Sequence, residues 1–272
     1  MNIPGLRDRI RQEVVGAQKK RVFLVEGSDD VTAWQILLNR FVPDWETRWG
    51  IAQAGNKAKL LCLLELEPDW LGLVDRDEWD QAAIETNTRN RPNLRVLRRF
   101  CLENYLIDPD ELWLAIPAVQ QATLASGQAN LATALQTQLD RYLRHGALWM
   151  VVSPLWTGLR ALGFKEALAS EDSLETAQDD VEIRRILHEW DELLDPERIF
   201  ADFAAQLASS RAAPVSEQYA QWVHGKHFWQ QVVNPAMTKL FGQMSEAKRR
   251  IEILRQIPKP ADLQPVFDAL AT

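Results

Sequence analysis

Cysteine is scarce in this chain of 272 residues, and its two copies, Cys62 and Cys101, stand far apart. The sequence has no CxxC pair, which argues against a disulfide framework and against a cysteine-rich zinc site. It has no GxxxxGK[ST] motif either, so any ATP hydrolysis would have to come from another chain. A chain of this length can bury a stable core without disulfides or metals. Cys62 lies in the apolar run LLCLLEL and is predicted to be a core residue.

Long apolar runs are missing as well. No stretch approaches the roughly 18 apolar residues of a membrane span. The first residues, MNIPGLRDRIRQE, contain no apolar segment that could serve as a signal peptide. We therefore expect a cytoplasmic protein without membrane contact. At about 150 residues per domain, the length corresponds to one or two domains.

Positive charge is in deficit, since 31 Lys and Arg residues stand against 38 Asp and Glu residues, for a net charge of −7. This balance argues against a simple basic nucleic-acid binder. The deficit is uneven, however: residues 165–198 hold four bases against twelve acids, and residues 65–80 hold one against seven. Residues 86–100 carry five arginines and no acid, and residues 221–259 carry seven bases against two acids. A basic segment near a compact acidic cluster is what a metal-dependent enzyme acting on a phosphate backbone needs.

Short apolar runs alternate with helical patterns in the first half of the chain. The runs typical of buried strands are RVFLVEG at 21–27, TRWGIAQ at 47–53, WLGLVD at 70–75 and LRVL at 94–97. Strands that alternate with helices indicate βαβ units and a mostly parallel sheet.

From Pro109 onward the patterns are helical, with Gly and Pro residues such as Gly146 and Pro154 expected to separate the helices. We therefore predict an α/β domain over residues 1–112, followed by an all-α region over residues 113–272.

Acidic residues follow two of the predicted strands. Glu26 ends the first strand, with Asp30 four residues later, and Asp75 and Asp77 end the third. Parallel sheets place their ligands outside the carboxyl ends of the strands, where side chains are held rigidly. Asp75 and Asp77 are two residues apart on an extended segment, so they can share one hard cation. Carboxylate oxygens suit Mg²⁺ or Mn²⁺, and the pattern therefore predicts a site for one of these ions.

The segments VFLVEGSDD and LGLVDRDEW resemble the Toprim domain, which topoisomerases, primases and OLD-type nucleases share. The resemblance covers roughly residues 20–108 and implies a compact α/β sheet. It also implies that Glu26 acts as general acid/base or metal ligand and that Asp75 and Asp77 bind the metal. Asp30 matches a further acid that is common in the OLD-type branch, and the resemblance implies that it is a further metal ligand.

Two later segments, CLENYLIDPDELW and HGKHFWQ, are similar to a family of small stand-alone Toprim proteins. That family includes the nuclease effector of PARIS anti-phage systems. The resemblance implies a nucleic-acid substrate, tRNA or DNA, and an ABC-type ATPase as partner.

Phosphodiester cleavage requires neutralisation of the phosphate, in-line attack and protonation of the leaving oxygen. A divalent ion held by Asp75 and Asp77 can neutralise charge and activate water. Glu26 can transfer the proton, provided that its surroundings raise its pKa. Arginine forms bidentate phosphate contacts, and the predicted nucleic-acid-binding residues are Arg89, Arg91, Arg95, Arg98 and Arg99.

Three further residues are candidates for the site. Glu103, in LENYL, is predicted to be an additional metal ligand near the sheet. Lys226, in HGKH, is predicted to be a distant basic residue that returns to the catalytic site. Trp79 stands two residues after the DxD and is the tryptophan best placed to stack on a base.

The leading prediction is a Mg²⁺-dependent Toprim endonuclease that serves as a cytoplasmic effector of anti-phage defence. Its helical region is expected to make partner or dimer contacts. One alternative is a non-catalytic Toprim-like module that binds or regulates. Another is an RNA-maturation nuclease of the ribonuclease M type.

Overall fold

The computed structural model describes residues 3–16, 19–170, 173 and 176–272. Its internal contacts form two compact units, one made of Met1–Leu139 together with Val215–Thr272 and the other of Asp140–Pro214. This division differs from the predicted one, 1–112 and 113–272, because the last part of the chain belongs with the first. Within the acidic segment 165–198, residues 171–172 and 174–175 lie outside the described residues.

A four-stranded parallel sheet is the core of the first unit. Its order is β2-β1-β3-β4, and every neighbouring pair is parallel. The strands are β1 (Arg21–Val25), β2 (Trp49–Gln53), β3 (Leu71–Val74) and β4 (Leu94–Val96). They fall on the four predicted apolar runs, and a parallel sheet with flanking helices and a mostly helical remainder is confirmed.

Helices connect the strands and cover both faces of the sheet. They are α1 (Ile3–Ile10), which continues as a π-helical turn (Arg11–Val15), α2 (Ser28–Phe41), α3 (Trp45–Arg48), α4 (Lys57–Leu66) and α5 (Gln81–Asn90). Helices α1 and α4 pack on the face that carries Val22 and Leu24, and α2 packs on the opposite face, which carries Phe23. Helix α4 begins after Asn56, whose Oδ1 accepts a hydrogen bond from the backbone N–H of Lys59 at 2.9 Å. It buries Leu60, Leu63 and Leu64. Cys62 lies on the other side of α4 and is exposed, so its predicted place in the core was wrong.

The C-terminal segment packs against helix α2. The Trp34 ring of α2 lies 5.5 Å from the ring of Phe23 in β1 and 6.2 Å from that of Phe267. Arg40 donates hydrogen bonds to the carbonyl oxygens of Leu254 and Ile257, at 2.6 and 2.8 Å. These contacts join the two ends of the chain in one unit, which a boundary drawn from local sequence pattern cannot reveal.

The remaining elements of the first unit are short. They are a 3₁₀ turn (Leu102–Tyr105), α6 (Pro109–Leu114), α7 (Ala118–Gln121), α12 (Val215–Glu217) with a π-helical turn (Gln218–Trp222), α13 (Gly225–Phe228) with a second (Trp229–Val233), α14 (Asn234–Phe241), α15 (Glu246–Leu254), a 3₁₀ turn (Ala261–Leu263) and α16 (Gln264–Ala271).

The second unit is helical. Helix α8 (Gln128–Ala161) enters it from the first unit, and α9 (Glu166–Ala169), a 3₁₀ turn (Thr176–Gln178), α10 (Asp180–Leu193) and α11 (Pro196–Ala212) follow. Helix α8 passes through both Gly146 and Pro154, so the breaks expected there were wrong. Ala147 of α8 is buried against Phe203 and Leu207 of α11. This packing stabilises α8 although Gly146 and Pro154 have low helix propensity.

One described stretch, Gln128–Ala169, is long and apolar enough to cross a membrane by length and composition alone. Its best window has a mean hydropathy of 1.2 and is 11% buried. The sequence was expected to contain no stretch of this length and apolar composition, and that expectation is corrected here. A core helix of a soluble protein or a signal sequence satisfies the same criteria, so a single stretch of this kind is weak evidence for a membrane segment.

Candidate metal centre

Three carboxylates meet at the carboxyl edge of the sheet. Strands β1 and β3 are neighbours, so Glu26 and Asp75, which directly follow them, lie side by side. The backbone N–H of Asp75 donates a hydrogen bond to Oε1 of Glu26 at 3.0 Å. With Asp77, these residues offer three carboxylate oxygens that lie within 4.8 Å of one another. The structure thus brings together three of the five acids that were predicted to bind the metal.

The backbone after β3 turns sharply. Asp77 has a φ of 49°, in the left-handed region that Asp tolerates better than most residues. Its N–H donates to the carbonyl oxygen of Phe100 at 2.8 Å. Arg76, between the two acids, donates from Nη1 to Oε1 of Gln221 at 2.5 Å and from Nε to the Trp79 carbonyl at 3.1 Å. Asp75 and Asp77 of the DxD therefore belong to the carboxylate cluster, whereas Arg76 between them stabilises the loop.

Two lysines pair with the aspartates. Lys226 Nζ lies 3.3 Å from Oδ2 of Asp75, so the lysine expected to return from a distant segment does reach the cluster. Lys57 Nζ lies 2.7 Å from Oδ2 of Asp77 and 4.6 Å from the centre of the Trp79 ring. The sequence reasoning missed Lys57. A signal was present, because the Gly55-Asn56 turn ends β2 at the same edge and makes Lys57 the first residue of α4.

Asp30 and Glu103 lie beside the cluster and not in it. Asp30 Oδ2 accepts a hydrogen bond from the Gly27 N–H at 2.9 Å, at the start of α2. Glu103 is 4% exposed; its Oε1 pairs with Arg250 Nη1 at 3.1 Å. Its Oε2 has no hydrogen-bond partner in the part of the chain that the structure describes. Both acids line a cavity of about 310 Å³ that Lys226 also borders.

Burial makes the acids of this edge difficult to ionise. Desolvation raises the pKa of Glu26 to about 7; Lys57 opposes the shift, and Asp77 adds to it. Desolvation likewise raises the pKa of Asp75 well above its usual value, and Lys226 opposes that shift. The pKa of Asp30 is raised, mainly by desolvation. A cation among these oxygens would stabilise their charged forms.

Glu26 is expected to make the metal-free protein less stable as the pH rises. A carboxyl whose folded pKa exceeds its unfolded one binds more protons in the folded state, so stability is lost as pH rises between the two values. For Glu26 these are 4.5 and about 7, a difference equivalent to about 3 kcal/mol. In chelator, Glu26→Gln should therefore gain about that much stability relative to the parent protein between these pH values. Urea unfolding across this range measures the difference.

Glu78→Gln is the matched control, since it removes a carboxylate of the same loop that is not one of the three clustered acids. The difference in the free energy of unfolding between Glu78→Gln and the parent protein should show no trend of the kind expected for Glu26→Gln. A Glu26→Gln curve parallel to that of the parent protein would show that Glu26 ionises normally.

The five arginines predicted to bind nucleic acid divide into two groups. Arg99 makes two bonds to the Glu111 carboxylate, at 2.6 and 2.7 Å, and lies 4.1 Å from the Tyr105 ring centre. Arg91 pairs with Glu65, and Arg95 donates to the Pro92 carbonyl oxygen at 2.8 Å. The guanidinium groups of these three arginines already have hydrogen-bond or ion-pair partners within the fold.

Arg89 and Arg98 are exposed. Over the described ranges, the structure records no hydrogen bond or ion pair from either side chain. They are the members of the predicted set whose guanidinium groups are available to a phosphate.

Asn104 joins the two segments that flank the site. Its Nδ2 donates to the carbonyl oxygens of Tyr219 and Val223, at 2.7 and 2.9 Å, and its Oδ1 accepts from the Cys101 N–H at 3.0 Å. A Cβ on Gly225 would lie 2.2 Å from Asn104 Oδ1, so only glycine permits this approach. The sequence reasoning did not single out Asn104, although it fixes the segment that carries Lys226.

No family model matches this chain, and no curated protein matches it.

Proposed function

We propose that this chain is a Toprim-like nuclease that depends on Mg²⁺ or Mn²⁺ and cleaves phosphodiester bonds in nucleic acid. The observation that carries the proposal is the group of carboxylate oxygens from Glu26, Asp75 and Asp77, all within 4.8 Å at the edge where adjacent parallel strands end. Ligands of parallel sheets bind at such edges. The motifs VFLVEGSDD and LGLVDRDEW supply the resemblance to Toprim enzymes.

The donor set fits a hard divalent ion. All three groups are oxygen donors, and burial raises the pKa of Glu26 and Asp75, so a cation would relieve an unfavourable arrangement. When bound, such an ion neutralises phosphate charge and lowers the pKa of a water molecule. Asp75 and Asp77 would hold it, and Glu26 would complete the set.

The chain's own residues supply the remaining chemistry. Before a metal binds, burial raises the pKa of Glu26 to about 7, and where Glu26 is not itself a ligand of the ion it can accept or return a proton near neutral pH. Burial lowers the pKa of Lys226, but the charges of Asp75 and Glu103 outweigh it and raise that pKa overall. Lys226 therefore stays cationic and can stabilise the charge that develops on a phosphate.

The substrate in this proposal is RNA, such as tRNA, or DNA. The exposed Arg89 and Arg98 would contact its backbone, since guanidinium groups bind phosphate bidentately. By its resemblance to PARIS effectors, we further propose that the protein acts in the cytoplasm in anti-phage defence, with an ABC-type ATPase as its partner. The helical region would make the contacts with this partner or with a second copy of the chain. Co-purification with the product of a neighbouring ATPase gene tests that part.

Cleavage assays on tRNA, single-stranded DNA and duplex DNA test the nuclease proposal. We expect cleavage of at least one substrate in Mg²⁺ or Mn²⁺, loss of cleavage in chelator, and recovery when metal is restored. Absence of cleavage in both metals, on all three substrates and with the ATPase partner added, would contradict the proposal.

One observation favours a non-catalytic binding module instead. Asp75 and Asp77 each have a lysine partner, so the cluster is already partly neutralised without an ion. That alternative predicts nucleic-acid or partner binding that chelator does not affect.

The other alternative is an RNA-maturation nuclease of the ribonuclease M type. A precursor RNA added to the substrates distinguishes it from the defence effector, because a maturation nuclease should process that precursor.

A further inference from the structure

Lys57 occupies an unusual place for a lysine. It is the first residue of α4, after the capping Asn56, where a cation meets the positive end of the helix dipole and gains nothing from it. Its side chain is only 16% exposed. Helix stability does not account for a lysine here, so the reason for it lies in the groups around its ammonium.

Those groups belong to the carboxylate cluster. The ammonium lies 2.7 Å from Asp77 Oδ2 and 4.6 Å from the centre of the Trp79 ring, and its charge opposes the rise in the pKa of Glu26. A divalent ion on Asp77 would compete with Lys57 for the same oxygen. The ammonium displaced in this way would stay near the site, since α4 and the aromatic face restrict where it can go.

We propose that Lys57 is a phosphate-binding residue of this site, paired with Asp77 until a divalent ion takes that carboxylate. The proposal rests on the nuclease function proposed above and deepens it. Lys226 contacts Asp75 and Lys57 contacts Asp77, so the two lysines approach the cluster from different elements. In the metal-bound protein, Lys57 would be free to contact the backbone of a bound strand as a point charge.

Salt dependence of binding isolates this role. A labelled single-stranded oligonucleotide is titrated in Ca²⁺ at several salt concentrations, with the parent protein, Lys57→Met and Lys57→Arg. Loss of one phosphate contact should reduce the slope of log affinity against log salt by about 0.7. We expect that reduction in Lys57→Met and the parent slope in Lys57→Arg.

Lys59→Met is the matched control, since it removes a lysine from the same helix. It leaves intact the backbone N–H of residue 59, which donates a hydrogen bond to the capping Asn56 side chain. Its slope should equal that of the parent protein. In parallel, Mn²⁺ should bind Lys57→Met severalfold more tightly, because no ammonium competes for Asp77. Urea unfolding of each variant establishes that it is folded.

The outcomes separate the two proposals. Equal slopes for Lys57→Met and Lys59→Met would overturn the role of Lys57, even if the parent protein cleaves nucleic acid. A reduced slope with a parent protein that binds but never cleaves would support Lys57 as a phosphate contact and overturn the nuclease. Unchanged or weaker Mn²⁺ binding by Lys57→Met would overturn the competition for Asp77. A parent protein that does not bind the oligonucleotide would overturn the role of Lys57, whereas the nuclease proposal is decided by the cleavage assays on the three substrates.

Discussion

Asp77→Asn is expected to lower kcat for metal-dependent cleavage by about three orders of magnitude. Asparagine keeps the shape of the side chain but loses the charge that would hold a divalent ion. A bound metal stabilises the transition state by several kcal/mol, and about 4 kcal/mol corresponds to that change in rate. The measurement is kcat in saturating Mg²⁺ or Mn²⁺, on whichever nucleic acid the parent protein cleaves.

Glu26→Gln should cause a loss of similar size, because it removes both the third carboxylate and the proposed proton carrier. Glu78→Gln serves again as control and should retain the parent rate. If Glu26→Gln and Asp77→Asn both cleaved as fast as the parent protein, the proposed site would be wrong, wherever the true one lies.

Asn104→Ala is expected to reduce the free energy of unfolding by about 4 kcal/mol. The side chain is fully buried. Two of its hydrogen bonds join the 3₁₀ turn Leu102–Tyr105 to the carbonyl oxygens of Tyr219 and Val223, and a third, from the Cys101 N–H, holds the turn itself. Truncation leaves two carbonyl oxygens and one N–H unsatisfied, at about 1–3 kcal/mol each. Urea unfolding monitored by circular dichroism measures the loss.

Asn93→Ala is a control with matched chemistry. Asn93 Nδ2 also bridges two carbonyl oxygens, those of Leu64 and Glu67, but at 3.3 Å each and from a partly exposed position. Its replacement should cost clearly less than that of Asn104. Equal losses would show that Asn104 does not specifically join the two segments.

The sheet and its acidic edge could be predicted because they depend on local pattern and one topological rule. Apolar runs mark strands, and the carboxyl ends of parallel strands share an edge. Glu26, Asp75 and Asp77 follow from these two facts. The sequence separation of Lys226 from Asp75, 151 residues, lies beyond any local pattern, and only the resemblance of HGKHFWQ to a family pointed to it.

What could not be predicted depends on tertiary packing. Arg99 is part of a dense arginine run, yet Glu111 and Asp262 already pair with it, and charge counting cannot separate a paired cation from a free one. Gly146 and Pro154 are helix breakers by propensity, but burial of Ala147 against α11 overrides them. The Gly55-Asn56 turn marks the residue that follows β2, but the approach of Lys57 to Asp77 also depends on the strand order, which places β2 beside β1.

The sheet is complete by Val96, whereas Lys226 and its neighbours are translated more than a hundred residues later. Domains form from the N-terminal side as the ribosome extends the chain. Residues 215–272 nevertheless belong to the same compact unit as the sheet, so this unit can be complete only when the last part of the chain has been synthesised. The pairing of Asp75 with Lys226 is therefore expected to form late, after the strands and their acidic edge have been synthesised.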